Sequence, residues 1–169
     1  FIQNHDQIGN RAQGERLITL AGADKTRVLL AALLLSPHIP LLFMGEEYGE
    51  THPFLFFTDF HGELAKAVRE GRAKEFTGHA GHDETVPDPN DVNTFVRSTL
   101  DWHKVATDEG KTWLRYTRHL LTLRHRYIVP LLHPRGAVEG EVIKTAPGMV
   151  AVSWRFPSGT LSLALNIGI

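Results

Sequence analysis

The sequence Asn4-His5-Asp6-Gln7 places an imidazole and a carboxylate side by side, flanked by two side-chain amides. Arg11 follows within the same polar stretch. A carboxylate in such a cluster can stabilise positive charge that develops in a transition state, and imidazole and amide groups can hold sugar hydroxyls. A loop of turn-forming polar residues that satisfies its own backbone is the alternative, and these residues alone do not decide between the two.

A second polar cluster, GEEYGE, occupies residues 45–50, and the aromatic loop PFLFFTDF follows at residues 53–60. Phe56, Phe57 and Asp59 in this loop are candidate sugar ligands, because apolar sugar faces stack on aromatic rings. A loop that packs its own hydrophobic side chains explains the rings nearly as well. The order of the clusters favours the functional interpretation, since the second lies one strand and one helix after the first.

These two clusters are expected at the ends of neighbouring strands. Residues 1–4 predict a short extended stretch, and the apolar run at 39–44 predicts a strand covered on both faces. Between them, residues 24–35 predict a helix that begins at Asp24 and is buried nearly all round. Strand, helix, strand is the pattern of a parallel α/β sheet, whose carboxyl edge binds ligands. Both clusters are therefore predicted at that edge.

The middle of the chain predicts two helices separated by a loop. A charged surface helix is expected at 63–76. The stretch 77–93 is rich in Gly, His, Asp and Pro and predicts a long, mobile loop, without indicating whether it closes over a substrate. Apolar residues at near-helical spacing predict a core-facing helix at about 111–127, stopped before Pro130.

The last part of the chain changes to an alternating pattern. Breaks at residues 146–148 and 157–159 divide it into three short antiparallel strands. The predicted strands are 138–145, 149–156 and 160–167. A domain boundary is expected near 131–136, which separates residues 1–130 from residues 137–169.

Composition excludes several classes of function. The 169 residues carry a formal net charge of −1, which predicts no bulk attraction to nucleic acid or to a membrane surface. Cysteine is absent, so disulfides, thiolate zinc sites and cysteine nucleophiles are excluded, and a cytoplasmic location fits. No phosphate-cradling glycine loop or dinucleotide fingerprint is present, so no cofactor is expected. His79, His82 and Asp83 have metal-ligand spacing, but such spacing is common in a glycine-rich loop, and no metal is predicted.

The ends of the sequence indicate a part of a longer polypeptide. It opens at Phe1 with neither an initiator Met nor a signal peptide, and it stops within an alternating apolar run. We therefore expect an internal or C-terminal piece. Such a piece would expose unpaired strand edges and apolar helix surface, so we expect it to be prone to aggregation when isolated.

Three segments together carry a family resemblance. FIQNHDQIGNRAQGERL at 1–17, SPHIPLLFMGEEYGE at 36–50 and PFLFFTDF at 53–60 resemble the malto-oligosyltrehalose trehalohydrolases, which belong to the α-amylase superfamily, glycoside hydrolase family 13. The resemblance continues through TFVRSTLDW at 94–102 and covers almost the whole chain. It implies the C-terminal part of a (β/α)8 TIM barrel, with barrel strands 7 and 8 in residues 1–130, followed by the start of an antiparallel β domain.

The resemblance also implies an activity. The family hydrolyses the α-1,4-glucosidic bond next to the terminal trehalose of maltooligosyl trehalose and releases trehalose with a retaining mechanism. Asp6 matches the carboxylate that stabilises the transition state, and His5 matches the residue that binds hydroxyls of the same sugar. The nucleophile and general acid of the family lie on strands that precede this sequence, so the chain alone is expected to be inactive.

Other residues receive weaker assignments from the resemblance. It places Glu46 and Glu47 after the eighth strand, where a structural role is favoured over a role as the missing catalytic pair. Arg11 and Glu15 could both reach the leaving trehalose, or they could stabilise their loop as an ion pair instead. The predicted substrate ligands are Asn4, His5, Gln7, Arg11, Phe56, Phe57 and Asp59, and maltooligosyl trehalose is the predicted partner.

Two alternatives remain open at this stage. One is another α-glucan enzyme of family 13, such as a branching enzyme or an α-amylase. The other is a non-catalytic carbohydrate-binding or structural module.

Overall fold

The computed structural model describes residues 1–76, 86–132 and 138–168. Within these ranges, helices precede a three-stranded antiparallel sheet. The helices are α1 (His5–Gly9), α2 (Leu17–Ala21), α3 (Ala23–Leu35), α4 (Gly62–Phe76), α5 (Val92–Arg97), α6 (Asp108–Leu123) and α7 (Val129–Leu132). Short 3-10 turns lie at Glu46–Tyr48 and Trp102–Ala106, and a π-helical turn lies at Arg124–Ile128.

The core forms where α3 packs against α6. Leu30 and Leu34 of α3 are one helical turn apart, and they form a buried cluster with Trp113 and Leu120 of α6 and with Ile18 of α2. The near-helical spacing of apolar residues at about 111–127 predicted a core-facing helix, and α6 confirms that prediction. The core therefore holds together the helices that follow the first polar cluster.

The prediction that α3 is buried nearly all round is wrong for this structure. Its buried residues are Thr26, Leu30 and Leu34, which share one face, and Val28 is 39% exposed. An apolar run favours burial of a helix, but the number of its faces that are buried depends on which elements pack beside it. In the described part of the chain, α2 and α6 cover one side.

No strand forms at residues 39–44 or at residues 1–4 in the described structure. Ile39 is 93% exposed and Leu41 is 55% exposed, so the expected covering of both faces is also missing. A strand requires a neighbour to complete its ladder of hydrogen bonds, and no described segment pairs with either stretch. The two barrel strands therefore stay predictions.

The prediction that the second long helix stops before Pro130 is wrong. The chain continues from α6 through the π-helical turn and then into α7, which contains Pro130 in its first turn. Pro130 is the second residue of α7 and directly follows the residue whose N–H ends the π-helical turn by bonding the Arg124 carbonyl. Arg124, at the start of the π-helical turn, donates to the carbonyl oxygens of Leu34 at 2.9 Å and Ser36 at 2.7 Å. It thereby joins the end of α3 to the end of α6.

The antiparallel sheet confirms the alternating pattern of the last segment. Its strands are β1 (Glu139–Ala146), β2 (Met149–Phe156) and β3 (Gly159–Asn166), paired in the order β1-β2-β3. Gly148 has φ +70° in the turn between β1 and β2, a conformation that favours glycine. The predicted boundary at 131–136 falls mostly outside the described residues and stays a prediction.

The predicted helix at 63–76 is confirmed as α4, although its packed face differs from a simple apolar stripe. Leu64 is 54% exposed, whereas Ala65 and Arg72 are buried. Most of the predicted 77–93 loop lies outside the described residues. Its last two positions belong to α5. Among the described helices, none has both the length and the apolar character needed to cross a membrane.

Candidate functional site

The first polar cluster forms the N-terminus of α1. The Asn4 side chain accepts from the backbone N–H of Asp6 at 2.8 Å, and the Gln7 side chain accepts from the backbone N–H of Asn4 at 2.8 Å. This reciprocal capping box satisfies backbone donors that the helix leaves unpaired. Asn4 and Gln7 thus hold the turn, and their predicted contacts with a substrate stay predictions.

The same turn presents His5 and Asp6 to solvent. His5 Nε2 lies 3.2 Å from Asp6 Oδ1, and both side chains are 68% exposed. A carboxylate in the first turn of a helix is favoured by the partial positive charge of the backbone N–H groups there. The carboxylate is therefore positioned by the helix and oriented by the imidazole, while it stays open to a ligand.

A cavity of about 230 Å³ lies beside this pair. Its lining residues are His5, Asp6, Gly9, Asn10, Phe54, Leu55, Phe56 and Phe57. The structure therefore brings the first polar cluster and the aromatic loop together, as their order along the chain predicts. Asp6 is the one carboxylate among the described residues that line this cavity. We call it the Asp6 cavity.

A second cavity, of about 370 Å³, adjoins the first. Its lining residues are Phe57, Thr58, Asp59, Asn90, Asp91, Val92 and Phe95. Phe57 lines both cavities, whereas Asp59 lines the second and not the first. Of the predicted sugar ligands, His5, Phe56 and Phe57 line the first cavity, and Phe57 and Asp59 line the second. We call the second one the Asp59 cavity.

Arg11 lines neither cavity. Its guanidinium donates to the backbone carbonyl of Glu15, so the contact joins the two predicted residues without being an ion pair between their side chains. The carbonyl oxygen of Arg11 accepts a hydrogen bond from Arg72 at 3.0 Å. The structure thus shows Arg11 holding the loop after α1, and its predicted contact with a substrate stays a prediction.

Arg72 is a positioning residue that the sequence analysis missed. It is 7% exposed, and its Nη2 donates to the carbonyl oxygens of Gly9 at 2.7 Å and Arg11 at 3.0 Å. Its guanidinium also lies 5.1 Å from the centre of the Phe56 ring, in a cation–π contact. One side chain of α4 therefore fixes both the end of α1 and a ring of the Asp6 cavity.

Replacing Arg72 by alanine is expected to lower the free energy of unfolding by about 2–3 kcal/mol, because two backbone carbonyls lose a charged donor. Urea denaturation measures the change. Arg69→Ala is the matched control, since Arg69 lies one turn earlier on α4 and its ion pair with Asp88 is half exposed. That control is expected to cost less than about 1 kcal/mol. Equal losses in the two variants would contradict the role given to Arg72.

The acidic cluster at 45–50 faces inward, behind the aromatic loop. Glu46 is 7% exposed, and its carboxylate accepts from the Gln3 amide at 2.9 Å and from the backbone N–H of Phe43 at 2.7 Å. Burial raises the pKa of Glu46, and these two hydrogen bonds oppose that rise only in part. Gln3 in turn accepts from the backbone N–H of Leu17 at 2.8 Å. Glu46 thus ties three segments together and has a structural role.

Glu50 is a second carboxylate whose role the sequence analysis missed. It is 1% exposed, and its oxygens accept from four donors. These are the backbone N–H groups of Thr51 at 2.7 Å, His52 at 2.8 Å and Asp101 at 2.7 Å, and the Tyr48 hydroxyl at 3.0 Å. Burial by itself raises the pKa of Glu50, but the hydrogen bonds outweigh it and the net pKa is lowered. The group is therefore a buried anion.

Arg16 is the buried cation of the same region. It is 1% exposed and donates to the carbonyl oxygens of His52 at 2.6 Å and Met44 at 2.7 Å. Burial lowers the pKa of Arg16, and the charge of Glu50 opposes that shift. Its Nη2 has no hydrogen-bond partner in the described part of the chain. Arg16 thus anchors the two residues that flank the acidic cluster, Met44 before it and His52 after it.

The potential metal-ligating side chains of the described residues do not cluster. Across the described ranges, no three His, Asp or Glu side chains come together in an arrangement that could hold an ion. His79, His82 and Asp83 lie outside the described residues.

Comparisons with known proteins bear on what this arrangement does. No protein-family model matches the chain. The malto-oligosyltrehalose trehalohydrolase of Deinococcus radiodurans is 49% identical over 135 residues, which is 79% of this chain and 22% of that protein. The enzyme of the same name from Saccharolobus solfataricus is 44% identical over 128 residues, covering 75% of this chain and 21% of that protein. The chain therefore spans about a fifth of the length of the curated relatives it matches.

A solved structure is similar over nearly the whole chain. It is the 1.4 Å crystal structure of a provisionally named alpha amylase from Salmonella typhimurium, with 71% sequence identity and a TM-score of 0.93. The match covers 99% of this chain and 28% of that one. The helices and antiparallel sheet described above thus have the arrangement of one segment of that structure.

Proposed function

Because the chain belongs to the malto-oligosyltrehalose trehalohydrolase family, we propose that the whole protein hydrolyses the α-1,4-glucosidic bond next to the terminal trehalose of maltooligosyl trehalose. The products are trehalose and a shortened maltooligosaccharide. The structural observation that carries the proposal is the exposed His5 and Asp6 pair at the edge of an aromatic-walled cavity. Aromatic walls and an open carboxylate suit a sugar with developing positive charge.

In the proposed mechanism, Asp6 stabilises the transition state. Cleavage of a glycosidic bond passes through a state that resembles an oxocarbenium ion, and a fixed negative charge beside the sugar ring lowers its energy. His5, whose Nε2 lies 3.2 Å from Asp6 Oδ1, hydrogen-bonds a hydroxyl of the same sugar. Phe56 and Phe57 give the sugar an apolar face to lie on. Asn4 and Gln7 act on this sugar through the capping box, which sets the position of the turn.

A retaining reaction needs two further carboxylates about 5 Å apart, one as nucleophile and one as general acid. Asp6 is the one carboxylate that the described residues supply to its cavity. We propose that both missing groups come from parts of the protein outside this sequence, so that the 169-residue chain alone is inactive. Residues 1–130 would then complete a (β/α)8 barrel, and residues 137–169 would begin an antiparallel β domain. The match covers only 28% of the Salmonella chain, which supports the proposal that further parts of the protein supply the missing groups.

A second candidate function is hydrolysis of α-glucans without release of trehalose. The 71% identity to a protein that carries the name alpha amylase favours it. The two candidates share the cavity, the role of Asp6 and the retaining mechanism. They differ in whether the substrate must end in trehalose, so the products separate them.

The test uses the full-length protein and two matched substrates. One is maltooligosyl trehalose, and the other is a maltooligosaccharide of the same number of glucose units without the trehalose end. We expect chromatography to show trehalose released from the first substrate and far slower cleavage of the second. The 169-residue chain, assayed alone, is expected to release no trehalose. Rapid cleavage of both substrates into maltose and maltotriose, with no trehalose, would assign the α-amylase activity instead.

A further inference from the structure

The loop after α1 meets the aromatic loop backbone to backbone at Gly14. The backbone N–H of Phe54 donates to the Gly14 carbonyl oxygen at 2.8 Å. A β-carbon at residue 14 would lie 2.6 Å from the Phe54 carbonyl oxygen and 2.9 Å from the backbone nitrogen of Leu55. Non-bonded carbon atoms make contact at about 3.5 Å, so such a β-carbon would overlap both segments. Gly14 also has φ +61°, a conformation that favours glycine, so a residue without a side chain is needed here.

The aromatic loop is held at the same point by a second hydrogen bond. The backbone N–H of Leu55 donates to the hydroxyl of Ser98, at the end of α5, at 3.0 Å, and that hydroxyl donates to the Thr94 carbonyl oxygen at 2.8 Å. Leu55 is 1% exposed and Ser98 is 4% exposed. If the aromatic loop moved away from Gly14, a buried N–H would lose its acceptor, which disfavours that movement.

Arg72 makes another connection between the loop after α1 and the aromatic loop. Its guanidinium donates to two backbone carbonyl oxygens at and just after the end of α1, and it lies over the Phe56 ring. The connections at Gly14 and Arg72 thus reach the aromatic loop at Phe54 and Phe56. Both start from the chain that follows Asp6, which lies in the first turn of α1.

The separation between α1 and the aromatic loop determines where the charge of Asp6 lies relative to the rings. Asp6, Phe54 and Phe56 line one cavity, so one wall carries the charge and the other carries the rings. A charge stabilises a transition state best when it is held in place before the reaction. Because a displacement of about 1 Å can lower a rate about 100-fold, the connections that set this separation bear on catalysis.

We propose that Gly14 and Arg72 are positioning residues for cleavage of the glycosidic bond, and that they hold α1 and the aromatic loop at the separation at which Asp6 stabilises the reacting sugar. This inference rests on the proposed function. Neither residue lines the Asp6 cavity, so each acts through the two segments that it joins.

The test compares Gly14→Ala with Gly62→Ala in the full-length protein. Gly62 has a matching φ of +59°, but a β-carbon there has no atom of the described residues within 4 Å. The control therefore carries the backbone strain without the close contact. Well below the melting temperatures, Gly14→Ala is expected to lower kcat about 100-fold and to change KM for maltooligosyl trehalose less than about threefold. Gly62→Ala should keep both constants within about twofold of the parent values.

A folded Gly14→Ala protein with the parent kcat would overturn the proposal. A double-mutant cycle with Asp6→Asn then separates positioning from a general loss of structure. When Gly14→Ala is added to Asp6→Asn, we expect kcat to fall less than about fivefold further, since the charge that Gly14 helps to place is already gone. A further loss of about 100-fold would show that the two effects are independent, and it too would overturn the proposal.

Arg72→Lys decides the question if Gly14→Ala does not fold. Lysine keeps the positive charge but lacks the planar fork of donors, so we expect kcat to fall about tenfold with little change in KM. Arg69→Lys is the control, because Arg69 lies one turn earlier on α4 and its side chain is half exposed. It should leave kcat unchanged. A folded Arg72→Lys protein with the parent kcat would overturn the proposal.

The products of the parent protein separate this proposal from the proposed function. A parent protein that releases maltose and no trehalose would refute the trehalose-releasing activity, and the same variants are then compared by their kcat for maltopentaose. A loss of kcat in Gly14→Ala and Arg72→Lys on that substrate would leave the positioning role standing. A parent protein that cleaves neither substrate would refute both proposals.

Discussion

Replacing Asp6 by asparagine in the full-length protein is expected to reduce kcat for maltooligosyl trehalose about 1,000-fold, a loss of the size seen when a preorganised electrostatic group is removed. Asparagine keeps the shape of the side chain and removes its charge, so the sugar still enters the cavity and KM changes little. Because the Asp6 side chain is 68% exposed, the melting temperature should stay within a few degrees of the parent value. Rates of trehalose release and thermal melting measure both quantities.

The matched control for this variant is Asp24→Asn. Asp24 also lies in the first turn of a helix, α3, and its side chain is 97% exposed, but it lines neither cavity. Any general effect of removing an acidic charge near a helix N-terminus appears in both variants, whereas loss of catalysis should appear only in Asp6→Asn. Normal turnover by Asp6→Asn would refute the assignment of Asp6 as the group that stabilises the transition state.

The second large effect is expected on stability. Glu50→Ala should lower the free energy of unfolding by about 3–5 kcal/mol, because it strands buried donors and leaves the nearby charge of Arg16 without compensation. The donors that lose their acceptor are three backbone N–H groups and the Tyr48 hydroxyl. Urea denaturation measures the loss. Glu47→Ala, in the same acidic cluster, is the control and should cost less than about 1 kcal/mol.

The effect of Glu50 should also depend on pH, with a sign set by its lowered pKa. A carboxylate that ionises more readily in the folded protein than at its ordinary value of 4.5 stabilises the fold above that pH. The contribution is lost as the pH falls from 4.5 through the lower folded pKa, so the gap between parent and Glu50→Ala should narrow there. Glu46 behaves oppositely, because its pKa is raised in the folded protein. The protonated side chain contributes stability below pH 4.5, and that contribution is lost as the pH rises from 4.5 through the higher folded pKa. A gap that widens on acidification would contradict the assignment of Glu50 as a buried anion.

The elements that the sequence predicted correctly depend on local patterns. The three strands follow from alternation and from turn residues such as Pro147 and Gly148, and Met149 at the start of β2 pairs with Asn166 at the end of β3. The core face of α6 follows from the spacing of Trp113 and Leu120, both of which are buried. Each such pattern spans about a dozen neighbouring residues, so it can be recognised without knowledge of the tertiary contacts.

The parts that were missed depend on distant partners. Glu50 accepts from a residue 51 positions later, and Arg72 donates to one 63 positions earlier. A glutamate or arginine in a polar run has the same appearance whether it is exposed or buried, and only the tertiary contact distinguishes the two. For the same reason the apolar run of α3 did not reveal that its buried residues share one face in the described part of the chain. The Asn4–Gln7 cluster was noticed from its adjacent imidazole and carboxylate, but those residues alone left its role open, and the role of Asp6 followed only from the family resemblance.

The way the buried arginines are held has a consequence for how this region can diverge. Arg16, Arg72 and Arg124 all donate to main-chain carbonyl oxygens, and every amino acid carries such an oxygen. The positions that supply these acceptors, such as Met44 and His52, can therefore change identity without breaking the bond that fixes the loop. An insertion or deletion is different, because it displaces the carbonyl itself. Variation in the segments held by these arginines should thus be constrained by segment length and by the three arginines, whereas a residue that contributes only its carbonyl oxygen can be replaced.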